Sequence, residues 1–242
     1  MWPDSRILDL LSVELPIIQA PMAGPNTSTL AIAVSAAGGL GSLPCALLSA
    51  AQVEQEWALI RTATDRPVNL NFFCHEAALP DPEREQRWRA RLAMFAAESD
   101  LDPAAPYPAS NRNPFDAAAC EMVERLRPKI VSFHFGLPRV DWLARVRATG
   151  AKVLSSATTV AEARWLAERG CDAIIAQGYE AGGHRGMFLS DDLATQIGTL
   201  ALVPQVVDAV RVPVIAAGGI MDARGIAAAF MLGASAVQLG TA

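Results

Sequence analysis

The feature that most restricts this chain is a set of eight short apolar runs: "PIIQAPM", "GGLGSLP", "PVNLNFF", "KIVSFHFG", "AKVLSSATT", "CDAIIAQG", "VPVIAAGG" and "SAVQLGTA". Each is stopped by glycine, proline or polar residues. Runs this short and this continuously apolar suit strands covered on both faces, as in a parallel sheet lying between helices. Amphipathic stretches separate most of them. In "TVAEARWLAERG", Val160, Ala163, Trp165, Leu166 and Ala167 take one face, Glu162, Arg164, Glu168 and Arg169 take the other, and Gly170 supplies the stop. Eight strand-helix repeats joined by right-handed crossovers predict an α/β fold of the closed (β/α)8 TIM barrel type rather than an open sheet.

The 242 residues are expected to form a single barrel domain, 1–242. With 52% hydrophobic residues, a chain of this length buries roughly 70 to 75% of its extended surface. The connection between strands 3 and 4 is overlong, and residues from about 76 to 128 read as a helical insertion beside the barrel mouth. It holds a polar helix, "DPEREQRWRARLAMFAAES", the Pro-rich turn region "LDPAAPYPASNRNP", and a second helix from Phe115 to Leu126. A second long connection, 178–211, carries a glycine-rich loop and then a helix through "LATQIGTLALVPQVVDAV". Strand 8 finishes at Ala242, so the expected barrel is truncated after strand 8, with its C-terminal helix and following segment missing. Trp2 and the leucines of "ILDLLSVELP" either close the barrel bottom or contact another subunit in a homodimer.

Formal net charge is -5, and lysines and arginines are scattered, which leaves no footprint for a polyanion and points away from nucleic acid. No run reaches the roughly 18 apolar residues of a membrane helix, and the N-terminus lacks a basic region followed by an apolar core. A cytoplasmic protein without membrane contact is expected. Cys45, Cys74, Cys120 and Cys171 are far apart and without histidines at zinc-ligand spacing, so they read as reduced, mostly buried thiols and no metal site.

In barrels of this kind the loops after the strands build the site, and phosphate commonly binds after strands 7 and 8. Those loops read "AAGGIMD" and "QLGTA". Gly218 and Gly219 can offer backbone N–H groups, the helix starting near Asp222 adds its positive end, and Gly240 and Thr241 face them from the next strand. A phosphate-bearing ligand follows, tight turns alone being the alternative. After strand 1, Pro21 and Pro25 stiffen a turn in which Met22 can lay its amide and thioether along a flat ring. Asn69 and Asn71 share the inward face of strand 3 by its two-residue period and need hydrogen-bond partners. His134 ends strand 4, Gln177 ends strand 6, and the loop "AQGYEAGGHRG" follows with Gly182, Gly183 and His184. Two glycines let a ligand lie against the main chain, and they also make an ordinary loop. A ring-shaped polar group bordered by Met, Asn, Gln and His, with a phosphate tail across the mouth, has the size and chemistry of flavin mononucleotide (FMN). Plainer roles are open as well. Gln177 could serve loop backbone groups, His134 could be a core histidine bonded to a neighbour, and Asn69 could serve only the interior.

Taken together, "PIIQAPMAG", "NLNFFCH", "SFHFGLP", "AQGYEAGGHRG", "PVIAAGGIMD" and "GASAVQLGTA" resemble, in order from Pro16 to Ala242, the nitronate monooxygenase family, formerly called 2-nitropropane dioxygenases, and above all its first class. The resemblance implies a barrel that binds FMN non-covalently, with His184 as catalytic base. It implies that Met22 touches the flavin ring, that Asn71 and Gln177 hydrogen-bond the cofactor, and that Gly182 lies against it. Gly218, Gly219 and the strand end Gln238, Leu239, Gly240 and Thr241 would hold the phosphate, and His134 would lie near the reacting edge. The implied reaction is oxidation of an alkyl nitronate, such as propionate 3-nitronate, by O2 to a carbonyl compound and nitrite, with nitroalkanes as further substrates. Related barrels leave an NAD(P)H-dependent flavin reductase of the quinone or enoyl reductase type as an alternative. The missing C-terminal segment leaves another, a non-catalytic barrel that binds FMN or phosphate.

Overall fold

The computed structural model describes residues 2–24, 26–76, 79, 81–99, 101–102 and 112–241. Pro25, most of the Pro-rich turn region and Ala242, on which expectations fell, lie outside the described residues. The chain divides into two compact units, residues 1–75 with 112–242, and residues 76–111.

All eight expected strands form: β1 (Ile17–Gln19), β2 (Gly41–Pro44), β3 (Val68–Phe73), β4 (Ile130–His134), β5 (Lys152–Ala157), β6 (Ala173–Gln177), β7 (Val214–Ala217) and β8 (Ala236–Leu239). They pair in parallel in the order β1-β8-β7-β6-β5-β4-β3-β2. The ring closes between β1 and β2 through a single parallel bridge, Ile18 with Leu40, with Leu40 N–H donating to the Ile17 carbonyl at 3.0 Å. Gln19 reinforces that short seam. Its Nε2 donates to the Ser42 carbonyl and its Oε1 accepts from Ser42 N–H, so an amide side chain replaces a missing rung.

The helices of the first unit are α1 (Arg6–Leu11), α2 (Ser28–Ala36) and α3 (Ala50–Ala63), then, beyond α4 (Pro82–Glu98) of the second unit, α5 (Ala117–Leu126), α6 (Val140–Ala148), α7 (Val160–Glu168), α8 (Thr199–Ala209) and α9 (Ala223–Met231). Their starts follow from capping chemistry. Ser49 and Gln52 form a reciprocal capping box on α3, Asp116 caps α5, and Thr159 caps α7. Helix α2 is built of small residues and packs so close to β2 that a Cβ on Gly41 would run into the Ala31 backbone.

The expected insertion over 76–128 is narrower than its sequence suggested. Helix α5 buries Cys120, Met122 and Val123, and it packs beside α3 and α6 as the barrel's own crossover between β3 and β4. The separate unit is residues 76–111 alone. Its helix α4 is capped by Asp81, carries the i,i+4 pairs Glu83–Arg87 and Glu85–Arg89, and buries none of its described side chains.

Side chains inside the ring change character from bottom to top. At the bottom, Ile18, Leu40, Ile130, Leu154, Ala173, Ile215 and Ala236 pack with Ile7 and Leu11 of α1, which therefore closes the barrel floor. Above them lie Ser42, Asn69 and Ser132, where Asn69 Nδ2 donates to the hydroxyls of Ser42 (3.1 Å) and Ser132 (2.8 Å). Asn71 Nδ2 also donates to Ser132 Oγ, at 2.9 Å. Along β4 the inward positions read Ile130, Ser132, His134, from apolar floor to polar layer to mouth. Among the described residues, no helix is long and apolar enough to cross a membrane.

Candidate active site

The strand tips converge on a cavity of about 640 Å³, within the range of roughly 300–1,000 Å³ usual for small-molecule sites. Met22, Asn71, His134 and Gln177 line it, as do Gly182, Gly183 and His184 from the loop after β6. Gly218 and Gly219 beyond β7, with Gln238, Gly240 and Thr241 at the end of β8, complete the lining. Leu239 is the exception among the residues expected from sequence. The strand period turns Gln238 and Gly240 inward and Leu239 outward against the hydrophobic core, leaving only its carbonyl at the mouth, where it accepts from Ala20 N–H at 2.7 Å.

The His184 loop is pinned from beneath. Its carbonyl accepts from Gln177 Nε2 at 2.9 Å and from His134 Nε2 at 3.1 Å, while Gly186 N–H donates to Gln177 Oε1 at 2.8 Å. Because a carbonyl only accepts, His134 carries its proton on Nε2, and its Nδ1 accepts from the Ser156 hydroxyl at 2.6 Å. Gln177 and His134 thus hold the loop backbone while also lining the cavity. Burial is the main reason His134 is held down to about 4, against the opposing help of the His184 carbonyl, with smaller lowering contributions from the neighbouring His184 and Arg185 side chains. It is neutral at physiological pH. Gly186 has no room for a side chain, since a Cβ there would stand 2.6 Å from His134 Cε1. Arg185 completes the clamp by donating to the carbonyls of Gly178 and Tyr179.

Above this anchored backbone the His184 ring is exposed to the cavity mouth and sits edge-on to Phe73 (centroids 5.3 Å apart) and Phe135 (6.1 Å). Its pKa is lowered, first by burial and then by its neighbours Arg112 and His75. A neutral, proton-accepting imidazole is the result. Phe135 lies in the left-handed region (φ 67) between His134 and Gly136, a strained conformation held by Ser155, whose hydroxyl donates to the Gly136 carbonyl at 2.8 Å. His75 packs against the same two phenyl rings, so all three histidines of the chain gather at one place.

Beyond β7, Gly218 (φ 119) and Gly219 (φ 67) need glycine for their backbone conformation. The N–H groups of Gly218, Gly219, Gly240 and Thr241 donate to no other described residue, which leaves four unengaged donors on residues that line the cavity. The amide of Gln238 and the Oδ1 of Asn71 likewise have no partner among the described residues. This donor set fits a phosphate, with amides left over for polar groups along a chain or ring. At the start of α9, two of the helix-end N–H groups are already engaged, since the Asp222 carboxylate accepts from Arg224 and Gly225 N–H. Met22 Sδ lies in line with Gly240, 3.8 Å from where a Cβ would be.

Sequence reasoning missed four contributors. Phe73, Ser156, Arg112 and Glu180 all line the cavity. Phe73 and Ser156 were findable from the same inward alternation that marked Asn69 and Asn71. Glu180 holds Thr199 N–H (2.7 Å) and its hydroxyl (2.8 Å), and although burial works against the charge, these bonds and Arg185 lower its pKa overall.

A profile of the family described as NMO, nitronate monooxygenase, matches residues 4–242. The nitronate monooxygenase of Paraburkholderia phytofirmans is 46% identical over 241 residues, covering 98% of this chain and 65% of the relative. That of Pseudomonas aeruginosa is 46% identical over 245 residues, covering 98% and 68%. A solved nitroalkane oxidase from Streptomyces ansochromogenes superposes with a TM-score of 0.86 at 41% identity, over 98% of this chain and 67% of its own. The chain thus spans about two thirds of the length of the relatives it matches. Matched across nearly all of its residues and folded around the same eight strands, the chain belongs to the nitronate monooxygenase family.

Proposed function

We propose that the cavity binds FMN and that the protein oxidises alkyl nitronates, such as propionate 3-nitronate, with O2 to a carbonyl compound and nitrite. The observation that carries this reading is the lining of one cavity by four unengaged backbone N–H groups at the ends of β7 and β8 and by a neutral, anchored His184 from the loop after β6. Gly218, Gly219, Gly240 and Thr241 would hold the phosphate, with Gln238 and Asn71 supplying amides and Met22, Gly182 and Gly183 an open surface for the ring. Bound there, FMN supplies the electron transfer between substrate and dioxygen.

The protein's own part is positioning and proton transfer. A neutral His184 removes the α-proton of a nitroalkane, giving the nitronate on the enzyme. His134 and Gln177 fix the main chain beneath it, so the imidazole keeps its aim while the proton moves. Phe73 and Phe135 shield one edge of the ring from water.

A visible spectrum of the purified protein is expected to show flavin bands, with oxygen uptake on added nitronate and no bleaching by NADH under anaerobic conditions. His184→Asn is expected to lower nitroalkane turnover by roughly 10²-fold or more, the scale of a lost general base, while FMN stays bound. Undiminished nitroalkane turnover in that variant would remove the base from the mechanism, and rapid bleaching by NADH would replace the monooxygenase with a reductase.

A further inference from the structure

The charges lining the cavity are unevenly placed. Among the described residues that line it, Arg112 is the one permanent cation and Glu180 the one permanent anion. Glu180 lies beside the glycine turn after β7, since a Cβ on Gly219 would stand 3.1 Å from its side chain. Arg112 lines the same cavity. Its charge reaches His184, and His75 shares the Phe73 and Phe135 surface with His184. His134 and Arg185 add positive or neutral groups below the loop and no carboxylate.

A nitronate carries its negative charge on two coplanar oxygens, a shape that a guanidinium fork matches with two parallel N–H bonds. With its pKa lowered, His184 is the weaker counter-charge for that anion, and the guanidinium is the permanent one. Five N–H donors allow a guanidinium to keep a protein neighbour and still bind an oxyanion. We propose that Arg112 holds the nitro oxygens of the substrate anion beside His184 and thereby sets the preference for nitronates over neutral nitroalkanes. The assignment rests on the proposed activity for its substrate, and it divides the labour at the site. Arg112 reads the anion and His184 handles the proton.

The test uses FMN-loaded protein, the variants R112Q and R112K, a nitronate and nitroalkane of one carbon skeleton, and sodium nitrate as an unreactive planar oxyanion. R112Q is expected to cut the kcat/KM preference for nitronate over nitroalkane by roughly tenfold or more, with R112K recovering part of it, the scale of a lost charge-assisted bond. With a repelling charge removed, the acid limb of the nitroalkane kcat/KM profile should also move to higher pH in R112Q, which a purely structural role would not produce. Calorimetric nitrate affinity should fall by a similar factor. Equal losses on both substrates with an unmoved acid limb would overturn the assignment. So would nitrate binding that is absent in the wild type or equal in the wild type and R112Q. If the wild type oxidised neither substrate, the proposed activity would fail, and the nitrate titration would still decide the role of Arg112.

Discussion

His134 shows how one side chain couples acidity to the shape of the site. Both of its nitrogens are engaged only when the ring is neutral, with Nε2 donating to the His184 carbonyl and Nδ1 accepting from Ser156. The folded protein holds this group at about 4 against an ordinary value of 6.5, mainly through burial. The unfolded chain therefore takes up a proton between those values that the folded chain refuses. Stability from this residue is complete above pH 6.5 and is lost as pH falls toward 4. Between pH 7 and pH 4.5 the loss is roughly 2–3 kcal/mol, because each pH step below the unfolded value costs about 1.4 kcal/mol until the folded ring also protonates. His134→Gln keeps a donor for the carbonyl and an acceptor for Ser156 but does not titrate. Urea unfolding at the two pH values should show that much less acid destabilisation in the variant than in the wild type, and matching acid sensitivity would mean that His134 protonates freely in the folded protein.

At the scale of elements, the long connection from β6 to α8 is held by a residue that the period of its own helix assigns to solvent. Periodicity in α7 places Glu162 on the outer, polar face with Arg164 and Glu168, yet Glu162 is 1% exposed. Its Oε2 accepts from Thr158 N–H (2.6 Å) and the Thr158 hydroxyl (2.7 Å), and its Oε1 from Phe188 N–H (2.7 Å) and Leu189 N–H (3.3 Å). Removing this acceptor orphans several buried donors together. Glu162→Ala is expected to cost about 3 kcal/mol in urea unfolding and to accelerate amide exchange at Phe188 and Leu189, whereas unchanged exchange there would show that the loop holds itself. The eight strands were legible because a strand buried on both faces is apolar at every position, a local signal. Asn71, Gln177, His134 and His184 were legible because each is polar at the inward tip of such a strand or just beyond it. The inward turn of Glu162 was not, because helical period reports only which face a residue starts from, and a three-carbon reach at the first turn escapes it. The Thr159-x-x-Glu162 spacing, a capping-box pattern, was the available hint. Arg112 was illegible for a different reason: it follows a long loop, and no period connects it to the strand tips.

Across the whole barrel, stability and chemistry occupy opposite ends of the same strands. The floor is apolar and closed by Ile7 and Leu11, which are 0% and 1% exposed, while the mouth holds every polar group assigned to the site. Between them the layer of Ser42, Asn69 and Ser132 separates dry packing from the cavity, and the Asn69 amide bonds only to hydroxyls within that layer. A defect in the floor should therefore weaken the fold without reshaping the mouth. Leu11→Ala removes a buried side chain with its contacts to the floor and is expected to cost about 2–5 kcal/mol in urea unfolding. The dissociation constant of FMN, measured at a temperature where the variant is fully folded, should stay within about twofold of the wild-type value, since a change of that size is only a few tenths of a kcal/mol. A variant whose flavin affinity fell in step with its stability would show that the polar layer transmits strain along the strands, and that α1 shapes the mouth as well as closing the floor.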